Sequence, residues 1–523
     1  MDNMFKDINN LISIEMFSNK NEKIKSMEGT FENCQSLKHL NITGFDTSEI
    51  KSMRRLFSNC PLNTNAFFNK ISTENLEDMS YMFANNDFTE FNLKLNTNNV
   101  KNMSHMFEGC QSMKTFNFSS NTENVIDFSY MFKSCGSLRN INLKNIKTNN
   151  AKNMSHMFYG CSSVKNIDFG ETIDTSELQD MSSMFEECIS LVELNINNFN
   201  TKKVKDMSFM FSRCYHLKEL DINNFDIAEV VNMSNMFNAA SLITSLDISN
   251  FKTDNVKTMK GMFKYMENLL SLDLSQFNTE KVEDMSSMLS FCTKMKKLKV
   301  SSFDTRQVIN MEWMFSNMES LEELDITNFN TESVENMWNM FYNCKNLKIL
   351  DLHNFNTKSV GNMAHMFERC HNLASLDVSN FDTTMVTDLS FMFNQLNNIE
   401  TLNVKYFKTS KALNMRNMFA GNNKLKKIDV SNFDTSEVTD MGLMFYQCNN
   451  LESVDVSKFE TSEVKDMSLM FNNCSSLTHL NFTSFDTSSC MKLVSITDDI
   501  PDLTVYVKNN SHVQNLIEEL NKS

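Results

Sequence analysis

A phenylalanine closing a Met-Phe pair stands at Phe185, Phe211, Phe237 and Phe263, and again at Phe315, Phe341, Phe367, Phe393, Phe419, Phe445 and Phe471. Each step is 26 residues, with Leu289 filling the one vacant slot. Earlier in the chain Phe31, Phe57, Phe83, Phe107, Phe132 and Phe158 follow at 24 to 27 residues, giving 18 markers in 523 residues. A repeat of roughly 20 to 50 residues identifies a solenoid, in which each unit buries its apolar side against its neighbours. This excludes the three or four separate globular domains that length alone suggests. No Pro-rich, Gly/Ser-rich or single-charge linker interrupts the array, and the chain holds only 2 Pro and 10 Gly.

Within the unit ending at Phe445, the residues Met441, Met444, Phe445, Cys448 and Leu451 are spaced i, i+3, i+4, i+7 and i+10. That spacing predicts a short amphipathic helix, with Asp440 as its N-cap. Asp206, Asn232, Asp284, Asn310, Asn336 and Asp466 hold the same slot, and the Asp/Asn exchange suits a cap better than an acid catalyst. Next comes LxxLxLxxF, as in Leu451, Val454, Val456 and Phe459, which predicts a half-buried strand with Asp455 outward. A polar turn, Asp-Thr-Ser-Glu at residues 434–437, closes the coil through side-chain bonds to the backbone. The predicted fold is therefore an α/β repeat: a curved solenoid of about 18 coils, each a short parallel strand plus a short helix, with period 26.

At LxxLDIxNFxTxxVxDMSxMFxxC the sequence resembles the BspA-like leucine-rich-repeat surface proteins, whose repeat is also that of Mycoplasma-type lipoproteins. The likeness covers roughly residues 25–490, and LDVSNFDTTMVTDLSFMF at residues 376–393 shows how many spaced positions recur together. The resemblance implies a leucine-rich-repeat-like solenoid at a cell surface, used for adhesion or protein binding without catalysis. Phe stands where ordinary leucine-rich repeats often place an Asn ladder, and no export signal, lipobox cysteine or wall-anchoring motif is visible.

The formal charge of −16 disfavours nucleic acid as a partner, because phosphate binding needs a concentrated basic surface. The cluster Lys294, Lys296, Lys297 and Lys299 reads as a solvated face. No apolar run is long enough to span a membrane, and the N-terminus lacks a secretory pattern.

Of 13 cysteines, 12 sit three residues after a marker, in a slot that elsewhere holds Ala240, Met266, Met318, Leu396 and Asn422. A small buried core residue explains that column better than a metal or disulfide ladder. Likewise, 32 of the 41 methionines fall in the Met441 and Met444 columns and read as an adaptable core stripe. No metal, nucleotide or nucleophile motif appears, and no cofactor is expected. His105, His156 and His365 occupy equivalent outward slots and read as surface residues. Sequons such as Asn102-Met-Ser104 read as structural caps.

Two outward columns are candidates for partner binding. Asp221, Asp247, Asp273, Asp325, Asp351, Asp377, Asp429 and Asp455 recur on the strand, interrupted by Lys299 and Asn403. Such a ladder attracts Lys/Arg of a partner or divalent cations, or it is a solvated acidic face that keeps the rod soluble. Two residues before the markers stand Tyr81, Tyr130, Phe209, Trp313 and Phe391, with Trp338 nearby. These are either exposed interface anchors or covers for gaps between coils.

Residues 1–30 read as a degenerate capping repeat, 31–489 as the solenoid, and 490–523 as a C-terminal cap. In that cap, residues 503–507 form a last strand, and Ser511 caps a helix carrying Val513, Leu516, Ile517 and Leu520. The functional expectation is a non-catalytic protein-binding or adhesion surface. It would sit on the cell surface as a monomeric rod, binding a host or cell-surface protein. An intracellular scaffold or effector, favoured by the thiols and the missing signal, is the alternative.

Overall fold

In the computed structural model, residues 1–61, 65–93, 95–118, 120–171, 173–508 and 511–521 are described. They form two compact units, Met1–Val256 and Lys257–Ser523. Both units are parallel β-solenoids.

The first unit contains β1 (Ser13–Lys23), β2 (His39–Asp46), β3 (Glu90–Leu93), β4 (Thr115–Phe118), β5 (Asn140–Asn142) and β6 (Asn166–Asp168), plus the four-residue α1 (Asn65–Phe68). The second contains β7 (Ser271–Asp273), β8 (Lys297–Lys299), β9 (Thr401–Leu402), β10 (Lys427–Ile428), β11 (Ser453–Val454), β12 (His479–Asn481) and β13 (Thr504–Tyr506), then α2 (Gln514–Leu520). All pairings are parallel, and the regular ones are offset by one repeat, as in Lys427 opposite Ser453 and Ile428 opposite Val454.

The predicted strand is present: Leu451, Val454, Val456 and Phe459 are buried while Asp455 is exposed. The predicted helix is not. From Met441 to Leu451 the chain runs through successive tight turns, in which Met444, Tyr446, Cys448 and Leu451 N–H groups bond the carbonyls three residues back. The N–H groups of Met441, Leu443, Phe445 and Gln447 instead donate to Asp466, Ser468, Met470 and Asn472 of the following coil. A helix would keep these bonds within its own segment. Leu443 and Gln447 adopt φ of 56° and 59°, the left-handed conformation needed at the third position of a type II turn. The same two slots are left-handed in coil after coil, in residues as large as Trp313 and Arg369. A non-Gly residue pays roughly 1–2 kcal/mol for that conformation, and the bond it makes to the next coil offsets the cost. Asp440 does accept a backbone N–H, that of Gly442 at 2.8 Å, so its column starts a turn where the sequence predicts a helix cap.

The inward residues of these turns form the core. Met441, Met444, Phe445 and Cys448 are fully buried, and the marker rings stack nearly parallel, at 5.7 Å for Phe341–Phe367 and 5.2 Å for Phe445–Phe471. Phe5 lies 5.7 Å from Phe31 in the same manner. Each fully buried large apolar side chain contributes about 1.5–3 kcal/mol.

Two side-chain ladders reinforce the coil-to-coil bonding. A buried threonine hydroxyl bridges consecutive coils: Thr201 to Asp226 in the first unit and Thr331 to Asn356 in the second, each donating to the carbonyl and accepting from the N–H of the same residue. The asparagine preceding the strand-end phenylalanine donates to the previous phenylalanine carbonyl, as Asn224 does to Phe199 at 2.7 Å and Asn380 to Phe355 at 2.9 Å. An amide ladder therefore exists one residue before the phenylalanine slot.

Past Cys490 the turn bonding continues, with Leu469 donating to Val494 and Asn473 to Asp498. β13 pairs with β12, and Val513 and Leu516 are buried. Ser511 does not cap the helix: Ser511–Val513 is a 3-10 turn, and α2 starts after Val513 without a side-chain cap bond.

Candidate functional site

The eight aspartates of the strand column all project outward and are exposed. Each also performs a local task, because its Oδ1 accepts the backbone N–H two residues on. The donors are Asn223 for Asp221, Ser249 for Asp247, Ser275 for Asp273, Thr327 for Asp325, His353 for Asp351, Ser379 for Asp377, Ser431 for Asp429 and Ser457 for Asp455, at 2.9–3.2 Å. Asn142, Asn195, Asn403 and Asn481 make the same bond from the same slot, so the column's first requirement is a turn-forming oxygen, not a charge.

The remaining oxygens set the electrostatics. Lys299 Nζ, 2.6 Å from Asp273 Oδ2, together with Ser275 holds that carboxyl down to about 2. Ser431 and Ser457 hold Asp429 and Asp455 below the usual carboxylate range through their hydroxyls and N–H groups. Asp429 and Asp455 stay ionised and, among the described residues, make no ion pair. Among the described residues no three His, Cys, Asp or Glu side chains converge to hold a metal ion.

In the basic cluster Lys299 is ion-paired with Asp273, and Lys294 keeps its charge while donating to the Asn268 side-chain oxygen at 2.7 Å.

The aromatic column belongs to the turns and is half-buried. Tyr81, His105, Tyr130 and His156 stack face to face at 4.0, 4.4 and 4.3 Å. Trp313 meets Trp338 edge-on at 5.5 Å and Tyr342 at 5.8 Å, and Phe391 stacks on His365 at 4.5 Å. These contacts pack the rings against those of adjacent coils, and each ring keeps part of its surface exposed. They also correct the reading of the histidines as surface residues: His105 bonds Glu108 at 2.6 Å, His365 bonds the buried Glu368, and His156 Nδ1 is enclosed in the stack. Desolvation pushes the His156 imidazole below its usual value.

The cysteine column is core, with a task that sequence reading missed. Cys448 Sγ donates to the Phe419 carbonyl at 3.1 Å and Cys474 Sγ to Phe445 at 3.0 Å. Asn422, in the same slot, donates to Phe393 at 3.0 Å and accepts the Leu396 N–H at 2.8 Å. Burial pushes Cys110, Cys161, Cys292, Cys344 and Cys474 up to about 12, which leaves them inert thiols.

Sequence reading also passed over the outward column two residues before the aspartates, which includes Glu193, Glu219, Lys427 and an Ile349 that is 66 % exposed. Two hollows lie on this strand face. One, in the first unit, has a volume of about 800 Å³ and lies around Asp168, Glu193 and Glu219. The other, in the second unit, is about 670 Å³, floored by Leu402, Ile428, Val454 and Leu480 and flanked by Tyr506.

The strand-and-turn coil with outward polar columns defines a parallel β-solenoid of the leucine-rich-repeat type. The chain belongs to the family described as Mycoplasma protein of unknown function, DUF285, whose model matches in overlapping copies over residues 1–115, 63–171, 165–271, 216–323, 259–375, 314–400, 343–427 and 387–503. The repeat resemblance read from the sequence therefore holds. No curated protein matches the chain.

Similar solved structures include a leucine-rich repeat protein from Bacteroides ovatus, 18% identical over 64% of this chain and 81% of that one, with a TM-score of 0.38. A leucine-rich cell surface protein from Faecalibacterium prausnitzii is 14% identical over 72% and 83%, with a TM-score of 0.28. A leucine-rich repeat protein from Leptospira interrogans is 12% identical over 82% and 94%, with a TM-score of 0.20. Among the described residues no helix is long and apolar enough to cross a membrane.

Proposed function

We propose that the chain is a non-catalytic protein-binding or adhesion surface displayed on a cell, and that the outward strand columns contact the partner. The observation that carries this reading is the division of labour within the coil. Met, Phe, Cys and Thr are consumed by the core and the ladders, whereas the strand face presents exposed, ionised side chains from consecutive coils. Binding energy spread over several coils is the usual way a solenoid recognises a protein. Asp221, Asp247, Asp273, Asp325, Asp351, Asp377, Asp429 and Asp455 supply fixed negative charge. Trp313 and Trp338 contribute mainly to packing. Residues 1–30 and 490–523 act as the covers of the stack.

Twelve of the thirteen thiols are buried in the core column. The test is protease treatment of intact source cells, followed by an adherence assay in which the purified chain competes. Removal by protease and inhibition of adherence are expected. Protection from protease overturns surface display, and undiminished adherence overturns the adhesion role.

A further inference from the structure

We draw no further inference here: the strongest candidate, the outer edge of β1, which among the described residues pairs only with β2 and lies beside the exposed Ile12 and Phe17, is an unpartnered apolar edge, and nothing in the structure shows what covers it.

Discussion

The hydroxyl of Thr435 and the backbone of Glu460, one coil further on, close a two-way clamp: Oγ1 donates to the carbonyl at 2.8 Å and accepts the N–H at 2.8 Å. The threonine is 1% exposed, so water cannot replace it. Its recurrence in nearly every coil, with Ile227 the exception between Thr201 and Thr253, follows from this geometry, because the outer turn carries the neighbouring backbones past each other where a strand ladder no longer reaches. Thr435→Val keeps the shape and removes both bonds, leaving a buried N–H and carbonyl unsatisfied. The expected loss is about 1–3 kcal/mol, read as a lower melting temperature and faster amide exchange at Glu460, with Thr435→Ser retaining most of the parent's stability.

The thiols give a second expectation. Thirteen cysteines are free, and twelve are buried donors to a backbone carbonyl or packed in that column. Titration with a thiol reagent should find all thirteen in the denatured, unreduced protein, and slow reaction in the native state except at the half-exposed Cys490. Few free thiols after denaturation would show that neighbouring coils are cross-linked.

The ring stack sets a pH dependence. Burial between its neighbours lowers the His156 folded-state pKa, partly countered by Asp180, while Lys133 and His105 add to the lowering. The unfolded chain therefore binds a proton that the folded chain does not. Stability from this group is full above the ordinary histidine range and declines as pH falls through it. His156→Phe keeps a ring in the stack and should flatten the melting-temperature slope between neutral and mildly acidic pH; an unchanged slope would assign it to other groups.

Arg416 reaches 3.1 Å from Asp466 and 3.5 Å from Asp440, crossing the coil between them over Gly442. A Cβ on Gly442 would stand 2.6 Å from Arg416 Nη1. Burial opposes ionisation of Asp466, but Ser468 and Arg416 outweigh it and hold the carboxyl below its usual range. Gly442→Ser should displace the guanidinium at a net cost of about 1 kcal/mol or less, because Lys492 and Ser468 still face Asp466. Arg416→Ala in the Gly442→Ser background should then have almost no further effect on melting.

Much of this architecture was legible in the residues. The 26-residue step, the inward Val454 and Val456, the outward Asp455 and the core role of Cys448 all follow from spacing and exchange patterns. The helix did not follow, because two tight turns in succession place Met441, Met444, Phe445 and Cys448 inward with the same i, i+3, i+4, i+7 spacing that a helix uses. Only the destination of the N–H groups of Leu443 and Gln447 separates the two, and that destination lies a full repeat away. Large residues at left-handed positions hid the turns further, since glycine normally advertises them. The candidate site was legible as a column but not as a place. The ion pair of Asp273 with Lys299 depends on which coil supplies the neighbour.

The central claim is that each repeat is a strand and tight turns, so that the Met-Phe motif is framework and the strand face is left for recognition. Far-ultraviolet circular dichroism of the purified full chain tests it most directly. With the described helices limited to segments of four and seven residues, the account predicts a β-and-turn spectrum without the helical double minimum. A strongly helical spectrum, as one helix per repeat would give, would contradict it.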